Sequence, residues 1–325
     1  MGPCDGGVAC SERSTFEPVM RKVRAIRAGD RIALVAPASP FDRDRFDLGV
    51  AEIERLGLTP VITDGLFARR GYVAGDARGR AAALTAAWCD PSIAAVMAAR
   101  GGYGSAQILP FLDLALLRKS AKPFIGHSDL TALFAYLTCY GDMPCFHGPM
   151  VLNLAGGEAR YDRDSFQRAL MATEPVGELA PDGLMAFRSG VADGPLLGGT
   201  LTQLVASLGT PFAFAPPPGF VLLLDEIGER PYRLDRMLTQ LAASGLLQRA
   251  SGVVCGEFPE CDEPNGRPTA RAMVAEFFET FPGPVLFGFP TGHTTGPALT
   301  VPLGVQVTVE AGRRSRLVVT ESVLE

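Results

Sequence analysis

The run Lys122-Pro123-Phe124-Ile125-Gly126-His127-Ser128-Asp129-Leu130-Thr131-Ala132-Leu133-Phe134 takes a short apolar strand through a glycine to a serine and straight on into a helix. A serine on such a turn projects its hydroxyl clear of the backbone. The first amides of the following helix lack internal partners and can receive a developing oxyanion. These residue types predict acyl transfer at Ser128, with the Asp129 amide as an oxyanion donor. The position two after Ser128 is Leu130, so the Gly-x-Ser-x-Gly signature of α/β-hydrolases is absent. Taken alone, the stretch also suits a serine that only caps its helix.

An activated serine needs a base within reach, and the base needs an acid that fixes its tautomer. The chain has three histidines, His127, His147 and His293. His127 adjoins Ser128, and neighbours on an elbow point in different directions, which makes it a poor partner. His147, in Cys145-Phe146-His147-Gly148-Pro149, follows an expected strand and is assigned a structural or substrate-side role. His293, in Gly288-Phe289-Pro290-Thr291-Gly292-His293-Thr294-Thr295, lies on a polar loop after an apolar strand, the best placement for a base. The strand Val221-Leu222-Leu223-Leu224 ends in Asp225-Glu226, and either carboxylate could be the acid. Strand alternation aims the two at opposite faces, so only one should face His293.

The elements that must hold these groups alternate between short apolar strands and helical stretches from Arg31 onward. Strands are expected at Arg31 to Ala36, Thr59 to Ile62, Ile93 to Ala98 and Pro123 to Ile125, with helices over about Asp42 to Leu56 and Asp76 to Trp88. This order predicts a parallel sheet covered by helices on both faces, with its site at the carboxyl ends of the strands. A second loop sits at such an end, Arg100-Gly101-Gly102-Tyr103-Gly104, whose glycines let backbone amides approach a ligand. It lacks the spacing of a dinucleotide fingerprint. The later half is richer in short strands, near Val221 to Leu224, Gly252 to Cys255, Val285 to Phe287, Val305 to Val309 and Leu317 to Val319, and predicts a mixed β/α lobe. The expected division is a flexible leader over 1–28, a nucleophile domain over 29–165, a linker over 166–190 and a C-terminal domain over 191–325 that supplies acid and base.

At 325 residues and with 47% hydrophobic content, the chain can bury two cores without cross-links. The net charge of -5 comes with no basic stripe, which argues against nucleic acid. No run reaches the length of a membrane span, so no membrane partner is expected. Seven cysteines with no Cys-x-x-Cys pair read as reduced thiols of a cytoplasmic protein. The histidines form no ligand motif, and neither a metal nor a cofactor is expected.

Several ordered motifs extend the reading. They are Val35-Ala36-Pro37-Ala38-Ser39, Tyr72-Val73-Ala74-Gly75, Ala99-Arg100-Gly101-Gly102-Tyr103-Gly104, the Ser128 run, Phe146-His147-Gly148-Pro149, Gly198-Gly199-Thr200-Leu201, Pro231-Tyr232-Arg233-Leu234-Asp235-Arg236-Met237-Leu238 and Pro290-Thr291-Gly292-His293. In this order the chain resembles the LD-carboxypeptidases of the serine peptidase type, the group of muramoyltetrapeptide carboxypeptidase and the microcin C self-immunity peptidases. The resemblance implies an α/β fold, with an N-terminal parallel-sheet lobe like that of class I amidotransferases and a C-terminal mixed β/α lobe. It also implies a triad of Ser128, His293 and an acid from the strand ending at Leu224. The family commonly reads Leu-Glu-Asp there, whereas this chain reads Leu224-Asp225-Glu226, so the acid falls on Asp225, with Glu226 as the fallback. The glycine loop would supply a second oxyanion donor at Gly102, and Arg100, Gly101, Tyr103 and Arg233 would contact substrate. The implied substrate is a small peptide, the murein tetrapeptide, cut before its terminal D-alanine during cell-wall recycling by an enzyme that pairs as a homodimer. The alternatives are cleavage of an aminoacyl-nucleotide amide and a cleft that binds without turnover.

Overall fold

The computed structural model describes residues 20–325. The strands are β1 (Arg31–Val35), β2 (Thr59–Ile62), β3 (Ile93–Ala98), β4 (Phe124–Gly126) and β5 (Cys145–His147), followed by β6 (Gly177–Leu179), β7 (Met185–Arg188), β8 (Gly190–Thr200), β9 (Phe220–Asp225), β10 (Ala250–Cys255), β11 (Val285–Phe287), β12 (Val301–Leu303), β13 (Gln306–Ala311) and β14 (Arg316–Val319). Among the described residues they form a 6-stranded sheet in the order β12-β5-β4-β3-β1-β2 and an 8-stranded sheet in the order β6-β14-β13-β8-β9-β10-β11-β7. The first five strands run parallel, as do β8 to β11. The α/β fold with a parallel-sheet lobe and a mixed lobe is therefore the observed one.

Local chemistry explains the elements. Asp42 caps helix Arg43–Arg55 by accepting the Arg45 amide at 2.9 Å, and Phe46 and Ile53 lie buried on its inner side. Helix Ala77–Cys89 has Asp76 as its cap. Strand β9 reads Phe-Val-Leu-Leu-Leu-Asp with every residue buried, the pattern of a central parallel strand covered on both faces. That burial reaches Asp225, which is fully enclosed.

Three features depart from the expected division. The leader was expected to run to residue 28. Its residues 1–19, with Cys4 and Cys10, lie outside the described residues, but Val23, Ala25 and Ile26 are buried, and Val23 bridges Leu324. The segment 166–190 is not a bare linker, because it completes helix Arg163–Met171 and then supplies β6 and β7 to the second sheet. Strand β12 leaves the C-terminal half to pair antiparallel with β5 on the edge of the first sheet, with Val301 opposite His147.

Strand β8 carries the glycines that the close packing requires. A Cβ on Gly198 would run into the Leu223 carbonyl oxygen of β9, and one on Gly199 would run into Thr131 at the start of helix Thr131–Gly141. Because Gly199 has no side chain, Thr131 Oγ1 can accept the Thr200 amide at 2.9 Å, joining the helix behind Ser128 to the second sheet. No helix among the described residues is long and apolar enough to cross a membrane.

Candidate active site

Strand β4 ends at Gly126, His127 continues in an extended conformation, and Ser128 turns the chain with φ 65 into a short 3-10 turn that leads to helix Thr131–Gly141. A non-glycine residue at that φ is uncommon and strained, as in nucleophile elbows. Asp129 behind it is buried, and its Oδ2 accepts the Ser105 amide at 2.7 Å, while the Ser105 hydroxyl donates to the Asp129 carbonyl. Burial outweighs these bonds and raises the Asp129 pKa. Asp129 thus ties the elbow to the turn that follows the glycine loop.

The glycine loop lies directly against the serine. A Cβ on Gly101 would stand 2.8 Å from Ser128 Cβ, 3.1 Å from Ser128 Oγ and 3.3 Å from the Asp129 amide nitrogen. Gly102 has φ 102, and a Cβ there would meet Ser39 Oγ at 2.5 Å. Ser39 Oγ donates to the Tyr72 carbonyl at 2.8 Å and accepts the Tyr103 amide at 3.0 Å. From below, buried Arg80 donates to the carbonyls of Pro37 and Gly104 and to Gln107 Oε1. Neither Ser39 nor Arg80 was singled out for this bracing role. A buried arginine within a helix leaves no local signature of the loop it holds.

Strand β9 delivers Asp225 from the other lobe. Its Oδ2 stands 2.7 Å from His293 Nδ1, and its Oδ1 accepts the His293 backbone amide at 3.1 Å. Thr200 Oγ1 adds a longer bond to Oδ2 at 3.4 Å. Burial alone would lower the His293 pKa, but the Asp225 carboxylate outweighs it and holds the pKa above the ordinary imidazole value. Burial alone would raise the Asp225 pKa, and the charge and hydrogen bond of His293 bring it below the usual carboxylate value. Glu226 turns the other way. Its Oε2 accepts the Thr202 amide and hydroxyl at 2.8 and 2.7 Å, its Oε1 accepts the Ile227 amide at 3.0 Å, and burial raises its pKa.

Gly292 makes the His293 contact possible. It has φ 67, and a Cβ there would stand 2.5 Å from both Asp225 Oδ2 and His147 Cε1. All three histidines of the chain gather here, the His127 ring lying 5.1 Å from His293 and 6.0 Å from His147. Since residue 127 adjoins Ser128, the first of these distances sets His293 beside the elbow. His127 donates from Nδ1 to the Gly148 carbonyl at 2.9 Å, and burial lowers its pKa to about 3. His147 Nδ1 is bonded to Thr291 Oγ1 at 2.9 Å.

Of the expected substrate contacts, Tyr103 is exposed and stacks edge-on against exposed Tyr72 at 5.3 Å. Arg100 donates to the Pro40 carbonyl at 3.4 Å. Arg233 lies on the surface with Glu229 at 3.3 Å. Among the described residues there is no cluster of three or more His, Cys, Asp or Glu side chains that could hold a metal ion.

Family models for the LD-carboxypeptidase N-terminal and C-terminal domains match residues 32–148 and 193–309. The chain is 32% identical over 304 residues to the "Probable murein peptide carboxypeptidase" of Bacillus subtilis, covering 91% of this chain and 94% of that protein. It is 31% identical over 271 residues to the murein tetrapeptide carboxypeptidase of Pseudomonas aeruginosa, covering 81% and 88%. Among solved structures, muramoyltetrapeptide carboxypeptidase from Oxalobacter formigenes matches with a TM-score of 0.79 at 26% identity, covering 91% of this chain and 100% of that one. The protein MccF in complex with glutamyl sulfamoyl guanosine matches with a TM-score of 0.85 at 23% identity, covering 94% and 99%, a likeness of fold.

Proposed function

The chain belongs to the LD-carboxypeptidase family of peptidase hydrolases, and from that premise we propose that it is a serine carboxypeptidase releasing the terminal D-alanine of murein tetrapeptide in cell-wall recycling. The observation that carries the serine mechanism is the 2.7 Å Asp225–His293 pair beside the strained Ser128 elbow. Asp225 accepts the Nδ1 proton of His293, which leaves Nε2 free to act as base. Ser128 attacks the scissile carbonyl and His293 takes its proton. The oxyanion is received by the amides of Asp129 and Gly102. His293 then returns the proton to the leaving amine, and water hydrolyses the acyl-enzyme by the same route. Each oxyanion donor supplies roughly 3 kcal/mol of barrier reduction, which accounts for a side-chain-free loop pressed against the serine.

Arg100 is the candidate fork for the terminal carboxylate of the peptide, with Gly101 and Tyr103 completing its wall. Arg233 remains a candidate only if substrate displaces Glu229. Pairing as a homodimer and residence in the cytoplasm complete the reading; light scattering tests the first and fractionation of the native cell tests the second.

One observation favours a second substrate. The exposed Tyr72–Tyr103 pair at the mouth of the glycine loop offers aromatic faces that a nucleobase could stack on, whereas the sole tryptophan, Trp88, is buried and bonded to the Leu117 carbonyl. Incubation with murein tetrapeptide and with an aminoacyl sulfamoyl adenylate, scored by mass, separates the two: loss of D-alanine supports the first and loss of the nucleotide the second. Tight binding with neither product would leave a cleft that binds without turnover.

A further inference from the structure

His147 lies on β5, one strand in from the edge of the first sheet, opposite Gly126 of β4 on one side and Val301 of β12 on the other. It is fully buried, yet its ring reaches the acid of the other lobe, with Nε2 standing 4.0 Å from Asp225 Oδ2. The bonding of its other nitrogen fixes which tautomer is present. Thr291 Oγ1 donates its single proton to the Leu299 carbonyl at 2.9 Å, so it can only accept from His147 Nδ1. The Nδ1 proton is thereby assigned, and Nε2 of the neutral ring is a bare lone pair with no hydrogen-bond partner.

We infer that His147 is a positioning residue that presents Asp225 with a lone pair instead of a proton, so that the carboxylate spends its strong bonds on His293. The inference rests on the proposed serine mechanism. In that mechanism Asp225 must hold the Nδ1 proton of His293 and offset the charge His293 acquires. A second N–H aimed at Oδ2 would divide the charge of the carboxylate and weaken its hold. A lone pair there does the reverse, since the negative end of the ring dipole makes the carboxylate a better acceptor. The groups facing His147 are Asp225 from β9, His293 from the loop after β11 and His127 from the end of β4, with the apolar Phe134 ring 6.2 Å away on the helix behind Ser128. Burial and the charge of His293 lower the His147 pKa to about 4 against the opposing pull of Asp225, consistent with a neutral ring at neutral pH.

Two measurements on the full chain test this. In 15N-histidine NMR at pH 7, with only three imidazoles to assign, His147 should show a protonated Nδ1 and a bare Nε2. A proton on Nε2 overturns the inference. Next, His147→Gln places a side-chain amide near the Nε2 position with an N–H for Asp225, whereas His147→Asn keeps a donor for Thr291 and does not reach the carboxylate. The Gln variant should move the His293 titration, and the acid limb of kcat/KM, to lower pH and reduce kcat about tenfold, the equivalent of one competing hydrogen bond. The Asn variant should keep the wild-type pH profile. Equal shifts in both variants, or none in either, would reduce His147 to packing. The NMR titration of His293 reads the coupling without turnover, so failure of the peptidase reading is distinguished from failure of this one.

Discussion

Replacing Asp225 by asparagine removes one charge and turns one acceptor into a donor, and the structure dictates which one. Oδ1 accepts the His293 backbone amide at 3.1 Å, so the amide oxygen of the variant must take that place, because its NH2 group would set donor against donor. The NH2 group then falls at the Oδ2 position, 2.7 Å from His293 Nδ1, and it can bond there only if Nδ1 gives up its proton. His293 is forced into the tautomer with the proton on Nε2, which cannot take one from Ser128. In Ser-His-Asp triads this tautomer error costs about 10⁴ in kcat, or about 5.4 kcal/mol of barrier. Asp225→Asn should therefore lower kcat on murein tetrapeptide by about four orders of magnitude, with the binding of uncleaved peptide preserved and the fold intact. Glu226→Gln, whose partners are Thr202 and Ile227, should change kcat less than about tenfold and show mainly as a stability loss of roughly 1–3 kcal/mol. Single-turnover kinetics and calorimetric binding measure both. If Glu226→Gln were the more damaging of the two, the acid would be Glu226 and the tautomer argument would fail.

Gly101→Ala should lower kcat at least a hundredfold and also cost thermal stability, because its Cβ would press on Ser128 Cβ and Oγ and on the Asp129 amide; unchanged turnover would remove the loop from the oxyanion site. Ser39→Ala, which cuts the tie between the Tyr72 carbonyl and the Tyr103 amide, should raise KM and lower kcat together in steady-state assays. Because the His293 pKa is raised, the acid limb of kcat/KM should lie above the ordinary imidazole value. Stability should move in the other sense at the two buried rings. The folded forms of His127 and His147 refuse protons down to about 3 and about 4, whereas the unfolded chain takes them up near 6.5. These two rings therefore lower stability as pH falls from 6.5 towards 4. Urea midpoints across that window should decline, and His127→Asn, which keeps a donor for the Gly148 carbonyl, should flatten the decline; an unchanged slope would contradict it.

The first sheet was legible because its strands are apolar runs punctuated by capped helices, and β1, β2 and β3 lie within a residue of where the sequence sets them. The opposed aim of Asp225 and Glu226 was also legible, since strand alternation alone separates their faces. Strand β8 was not. Its glycines carry no β-propensity, and they are present because Leu223 and Thr131 approach too closely for any side chain. Strand β12, three residues with proline at its centre, offers no periodicity, and only its partner β5 defines it. The part of His147 was hidden for the same reason: its neighbours Asp225 and Thr291 are distant in sequence, and no local pattern records a contact made across two sheets.

The return of β12 to the first sheet has a mechanical consequence. The segment bearing His293 is anchored at one end by the Asp225 contacts and at the other, eight residues on, by the edge of the sheet that carries Ser128. His293 and Ser128 are thus set along one seam, where β12 ties the C-terminal half of the molecule to the sheet of the N-terminal half. A fragment cut near residue 190 would forfeit both His293 and the border strand that shields β5 from unwanted pairing.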